Sequence, residues 1–415
     1  MKFIADFHIH SKYARATSPN MNLENLDVWA QKKGIDVISA ADFTHPAWFK
    51  ELSEKLEESE QGLYKLKGST LKTRFILTTE VSCIYSKNNK VRRIHLLIFA
   101  PSLATVAKIN MQLGILGKLA SDGRPILGMD AKEVLKIALD ASPECMIVPA
   151  HAWTPWFSIF GSKSGFDTIE ECFDEYTKYI TAIETGLSSD PAMNWQLSAL
   201  DNITLISNSD SHSLAKIGRE ANVFDTEKTY KGIAEVLKKK DPKRFLFTVE
   251  FFPEEGKYHY DGHRLCGLSF APAESRKLNN ICPACKKPLV IGVLNRVEEL
   301  ADRSKGEKPK NAIPFKSLIP LQEIIAEAFS VGVGAKRTQE EYEKIVSSLQ
   351  NEFYVLLDAT PAELKDTTSP EVVEGIMRIR DGRVTIEPGY DGEYGTISIF
   401  KEGEQREGIT QKSLF

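Results

Sequence analysis

A chain of 415 residues exceeds one ordinary domain, and 42% apolar against 27% charged residues supports two or three units with sizeable cores. No apolar run approaches the roughly 18 residues that cross a bilayer, and no basic-then-apolar leader opens the chain, so a soluble, cytoplasmic protein with no membrane partner is expected. Six cysteines are too few for a disulfide scaffold, and a net charge of −4 argues against a general nucleic-acid binder, yet residues 257–316 carry 12 basic against 6 acidic side chains.

From the N-terminus to about residue 250, short β-type runs alternate with helical patterns, which predicts crossover units around a largely parallel sheet. The runs are 3–10, 35–41, 75–79, 94–100, 146–150, 179–183 and 204–207, nearly enough to close a barrel. The first carries His8 and His10, which point to the same face of a strand because they are two residues apart. At or just past the ends of the other runs stand Asp42 and His45, Glu80, His151, Glu184, Asp210 and His212, while His95 lies within its own run. In parallel barrels the carboxyl ends of strands converge on one volume, so six of the eight histidines are placed to meet acidic residues there. Imidazole with carboxylate suits Zn²⁺, Mn²⁺, Mg²⁺ or Fe, and Glu80 is placed to bridge two ions. The competing reading of any single histidine is a core side chain satisfied by backbone groups.

Asp6-Phe7-His8-Ile9-His10, Asp42-Phe43-Thr44-His45, Glu80, His95, His151 and Ser209-Asp210-Ser211-His212 resemble the successive motifs of the polymerase and histidinol phosphatase (PHP) superfamily over residues 1 to about 245. The resemblance implies a distorted seven-stranded α/β barrel with a two- or three-metal phosphoesterase site. It assigns His8, His10, Glu80 and Asp210 to one ion, Glu80, His95 and His151 to a second, and His45 and His212 to a third. Many members place a further His or Asp about eight residues after the first motif histidine. Here that stretch is Tyr13-Ala14-Arg15-Ala16-Thr17, which leaves the third ion open. Arg15 is either a phosphate-gripping guanidinium or an ordinary surface arginine. Ions of this kind acidify a bound water, and phosphoester hydrolysis is the reaction expected. Asp42 and Asp190 join Arg15 as candidate catalytic residues. Asp190 either orients water or protonates the leaving group, or it caps the helix that Pro191 opens. Trp153 and Trp156 follow His151 and either stack an unpaired base or pack a loop against the barrel.

Residues 249–305 form the expected second module. His263-x-x-Cys266 and Cys282-x-x-Cys285, with 15 residues between, have the spacing of a zinc ribbon, and His259 rivals His263 as fourth ligand to one structural zinc. Arg264, Arg276, Lys277, Lys286 and Lys287 surround it as a basic face for a phosphate backbone. The third unit, 306–400, starts at a polar linker. A helix is expected over 321–329, then a glycine turn with Lys336 and Arg337 able to hold a phosphate, a capping box from Thr338 to Glu341, and a hairpin around Gly389 to Gly395. A PHP domain, then this cysteine array, then a mixed helical and hairpin domain is similar to the endonuclease Q family; stretches 15–23, 183–191 and 292–302 look like its signatures. That resemblance implies a DNA repair endonuclease cutting 5′ to deaminated bases (uracil, hypoxanthine, xanthine) and abasic sites. A small-molecule phosphatase of the histidinol-phosphate kind is the alternative. In the tail 401–415, Gln411-Lys-Ser-Leu414-Phe415 resembles peptides that dock on the bacterial sliding clamp, the other reading being an incidental terminus.

Overall fold

A computed structural model describes residues 1–401 and 404. The Lys2–Asp6 strand lies inside an eight-stranded sheet ordered Phe315–Ser317, Phe245–Glu250, Ala221–Asp225, Lys2–Asp6, Val37–Ser39, Arg74–Ile76, Leu63–Leu66, Leu56–Glu60. Lys2–Asp6 pairs in parallel with Val37–Ser39, and that strand in parallel with Arg74–Ile76. A four-stranded sheet (Ile126–Leu127, Thr78–Lys87, Lys90–Phe99, Met146–Pro149) and the parallel pair Ala182–Glu184 and Thr204–Ile206 continue the wall. Ala152 N–H donates to Glu184 O at 2.9 Å, and Ile9 bridges Ser211, which joins the last strand back to the first. Phe3, Phe7, Phe99 and Phe224 fill the core below, with ring centroids 5.4–6.0 Å apart.

Several expected elements differ in extent, each for a local reason. The first ladder ends at Asp6 rather than running to His10, because side chains take over its backbone partners: Phe7 N–H donates to Asn208 Oδ1 at 2.9 Å, and Asp6 accepts from Ser209 and Gly218 N–H at 3.1 and 3.0 Å. The runs at 75–79 and 94–100 are not joined by a crossover helix. Thr78–Lys87 and Lys90–Phe99 form one long antiparallel hairpin, reversed at Asn88 and Asn89 with φ of 55° and 57°. Asparagine tolerates this left-handed region, and two such residues make the turn whose twist matches the strands. The run at 179–183 begins only at Ala182, after a 3₁₀ turn over Asp174–Tyr179. Ala221–Asp225 runs antiparallel to Lys2–Asp6, so the sheet is mixed rather than largely parallel.

The expected boundary at 248 falls within Phe245–Glu250, and Phe315–Ser317 pairs in parallel with that strand. The C-terminal segment thus completes the N-terminal sheet. Its helices include Leu321–Phe329, as the pattern predicts, and Lys336–Ser348. The second starts at Lys336, so Thr338 lies inside it and its hydroxyl donates to Gly332 O instead of capping. Trp29 stacks on Tyr342, and a buried ion pair at 2.7 Å between Lys33 and Glu352, the first residue of the helix Glu352–Leu357, ties the C-terminal helices to the Leu23–Lys33 helix of the barrel. The hairpin Thr385–Glu387 with Thr396–Ser398 returns to the cysteine module, where Tyr260 N–H donates to Gly389 O. Among the described residues no helix is long and apolar enough to cross a membrane.

Candidate metal centre and nucleic-acid interface

The strand ends bring His8, His10, Glu80 and Asp210 together as one group of potential ligands and Glu80, His95 and His151 as a second. In the first, His10 Nε2 is 3.3 Å from Glu80 Oε2 and 3.1 Å from Asp210 Oδ1, and His8 Nε2 is 3.6 Å from both oxygens. In the second, Glu80 Oε1 is 2.6 Å from His95 Nδ1 and 3.1 Å from His151 Nε2. Donors about 2.1 Å from a tetrahedral ion lie about 3.4 Å from one another, a separation that the first group approaches. His8 Nε2, His10 Nε2 and Asp210 Oδ1 are moreover buried without a hydrogen-bond partner among the described residues. Such orphaned atoms are costly unless something receives them, and this is the observation on which the fit to metal rests. Glu80 divides its two oxygens between the groups.

A surrounding layer aims these ligands. The Nδ1–H of His8 donates to the Glu184 carboxylate at 3.0 Å and that of His10 to Asp42 at 3.0 Å, which leaves both Nε2 lone pairs facing the cluster. Glu184 also accepts from the His151 backbone and from Asn208 Nδ2, each at 2.8 Å. Asp42 thus acts on His10 and on Ser11 N–H, at 2.6 Å, rather than as a free acid. Asp42, His151 and Asp210 have φ of 34°, 30° and 45°, strained values that turn the chain sharply as each strand delivers its side chain.

Burial and neighbouring charge oppose each other within the cavity. Burial raises the carboxyls of Glu80 and Asp210, but His95, Arg124 and His8 around the one and His8 and His10 around the other overcome it, and both lie well below the ordinary carboxylate range. Burial lowers His8 and His10. Their carboxylate neighbours, Glu184 first for His8 and Asp42 first for His10, outweigh it and leave both imidazoles well above their usual value. For His95 burial wins, and its pKa falls to about 4.

Other expected site residues are placed differently. His45 stacks on Tyr13 at 4.4 Å, and His212 has its ring 4.5 Å from that of His10 with Nδ1 2.9 Å from Asp210 O. Neither is a member of the two barrel ligand groups found among the described residues. Asp190 is the cap of the short helix Pro191–Asn194, its Oδ1 accepting from Met193 N–H at 2.8 Å. Trp153 is fully buried, packs on Phe160 and donates Nε1–H to Asn194, which corrects its expected contact with a base. Trp156 is exposed at the rim, edge-on to Tyr258, and lines a cavity of about 190 Å³ with Ser188, Lys257 and His259. Arg15 is exposed beside Asp122. Sequence reading missed Arg124, whose Nη1 sits 3.1 Å from Glu80 Oε2; no periodic signal marks a cation in the loop after a helix.

His263, Cys266, Cys282 and Cys285 form a separate potential ligand group. His259 is buried, its Nδ1 without a hydrogen-bond partner among the described residues, and it is not a member of that group, so the geometry favours His263 as the fourth member. Arg264 and Lys286 are exposed around it, Arg264 facing Glu393 at 3.8 Å. Lys336 is exposed near Glu340, and Arg337 covers the Phe329 ring at 3.9 Å. Gln411, Leu414 and Phe415, and with them the sliding-clamp expectation, lie outside the described residues.

Residues 320–383 match the family model described as the MJ0043 C-terminal domain. The uncharacterized protein MJ0043 of Methanocaldococcus jannaschii is 34% identical over 257 residues, 60% of this chain but 31% of that protein's own length. The lesion-specific endonuclease PfuEndoQ from Pyrococcus furiosus superposes with a TM-score of 0.86 at 30% identity, covering 97% of this chain and 96% of that one. Endonuclease Q in complex with a 27-mer duplex bearing an abasic lesion at its active site superposes with a TM-score of 0.85 at 30% identity, over 99% and 100% of the two chains. The chain belongs to the endonuclease Q family. It has the PHP-like α/β fold of that family and is a hydrolase of the metal-dependent endonuclease type.

Proposed function

We propose that this protein acts on duplex DNA, hydrolysing the phosphodiester 5′ to a deaminated base (uracil, hypoxanthine or xanthine) or an abasic site. The observation that carries the reading is the divided carboxylate of Glu80, which links two buried ligand groups in a chain similar over its whole length to lesion-specific endonucleases. His8, His10, Glu80 and Asp210 would hold one divalent ion, Glu80, His95 and His151 another, and the cysteine group a structural zinc. Bound ions of this kind supply an acidified water and neutralise charge gathering on the phosphorus and the leaving oxygen.

The protein's own groups do the rest. Glu184 and Asp42 fix the ring orientation of His8 and His10. Arg124, partly open to solvent beside Glu80, presents a guanidinium to a phosphate oxygen at the cluster's edge. Trp156 and Tyr258 offer aromatic faces to a base displaced from the stack. The test is to incubate duplexes carrying uracil, hypoxanthine or a tetrahydrofuran abasic analogue with Mn²⁺, Mg²⁺ or Zn²⁺ and map any nick. A nick 5′ to the lesion is expected; no cleavage of any of them, with hydrolysis of sugar or amino-alcohol phosphates instead, transfers the assignment to the small-molecule phosphatase reading.

A further inference from the structure

Outside the metal centre, the most conspicuous apolar surface is at the end of the helix Leu103–Leu116 and on the loop beyond it. Met111, Ile115 and Leu116 are 65%, 81% and 56% exposed, and Ile126 is 62% exposed. A Cβ built at Gly117 would meet Leu127 Cδ2 at 2.6 Å and Ile126 O at 3.7 Å, so the helix end abuts the Ile126 strand. Large aliphatic side chains left together in water mark a surface that something covers.

Position and charge say what covers it. The loop between this patch and Ile126 packs directly on the metal centre: Gly123 N–H donates to Tyr13 O, a Cβ at Gly123 would strike the Asp42 carboxylate, and Arg124 touches Glu80. Lys118 is exposed in the same loop, and Arg15, with its side chain 83% exposed, is held to it through its N–H on Asp122. Lys118 and Arg124 thus lie on the loop that runs from the aliphatic patch to the metal centre, and Arg15 is held against that loop. A protein partner with an acidic rim would suit the patch but not its continuity with the phosphoesterase cavity, whereas DNA suits both: phosphates on the cations, stacked bases against the aliphatic tip. Inserting Ile, Leu or Met between base steps is how proteins unstack and kink a duplex.

We propose that Ile115 and Leu116, flanked by Met111 and Ile126, form a wedge that enters the duplex beside the lesion and holds the strand open over the metal centre. The inference rests on the DNA-endonuclease reading above and adds the residues that open the duplex. The test uses the full chain and its Ile115→Ser/Leu116→Ser variant, two exposed substitutions outside the ligand groups. Single-turnover nicking is measured with Mn²⁺ on uracil in a fully paired duplex and on the same uracil inside an unpaired bubble. In parallel, 2-aminopurine placed next to a tetrahydrofuran site reports unstacking on binding in Ca²⁺.

The expected result is a fall of at least about tenfold on paired duplex with the bubble rate within about twofold of the parent's, together with loss of the 2-aminopurine rise that the parent shows. Equal rates for parent and variant on paired duplex overturn the wedge, as does an equal fall on both substrates. If the parent cuts neither substrate, the endonuclease reading fails. The wedge then stands or falls on the fluorescence alone, and a parent that binds without a rise overturns it.

Discussion

Glu80 is the residue on which both ligand groups depend, since Oε2 faces His8 and His10 and Oε1 faces His95 and His151. Glu80→Gln removes one anionic oxygen and the charge shared by both groups. It is expected to lose both barrel metals after dialysis, read by elemental analysis, and to slow nicking by at least about 100-fold. Glu184→Gln acts through His8 and should keep two metals while weakening their affinity by roughly 10–100-fold, as loss of an outer-layer partner does. Because His8 and His10 are pushed well above their usual pKa, protons occupy the ligand nitrogens without an ion. Metal uptake therefore releases protons and tightens as pH rises, and titrations in buffers of different ionisation heat measure that release. A metal affinity flat across neutral pH would contradict the geometry.

The Phe245–Glu250 strand carries a second buried acid, which couples the wall of the barrel to pH. Burial, with Asp190 adding to it, raises Glu250 from 4.5 to about 8, and burial beside Glu250 raises Glu220 well above its ordinary value. The folded state thus binds more protons than the unfolded chain between those values. Stability present below about pH 4.5 is lost as pH rises toward 8, by at most about 1.4 kcal/mol per unit for one such group. Glu250→Gln keeps an acceptor for Thr185, 2.9 Å away, and removes the charge. Its melting temperature should exceed the parent's by a margin that grows from about pH 5 to about pH 8; a constant margin would rule out the carboxyl as the source. At the cysteine module, Cys282→Ser is expected to release one zinc and lower the melting temperature while the barrel metals stay.

Across the molecule, the C-terminal helices are fastened to the barrel by a pair that neither region contains alone. Lys33 and Glu352 are buried at 2.7 Å, with Tyr342 Oη also donating to Glu352. Lys33→Met leaves Glu352 uncompensated and should cost about 3–5 kcal/mol, seen as a lower midpoint in denaturant, whereas Lys33→Met/Glu352→Gln recovers most of it. The nicking rate per folded molecule should be unaltered by either, because the pair is remote from the ligand groups.

The amino-acid sequence by itself determined the ligand types and their order. His8 and His10 at strand spacing, Glu80, His151 and Asp210 at the ends of apolar runs, and the two paired ligand spacings of the zinc-ribbon pattern are all properties of short segments, as is the Leu321–Phe329 helix. The Asn88-Asn89 turn was equally local and would have disclosed the long hairpin. Tertiary structure alone decided that Glu184 and Asp42 orient the histidines, that Arg124 sits on Glu80, that Trp153 is core and Trp156 rim, and that Asp190 is a cap. It also decided that Phe315–Ser317 completes the first sheet. Each of these depends on which distant segments meet, and hydrophobic periodicity specifies which face of a segment is buried, not which partner buries it.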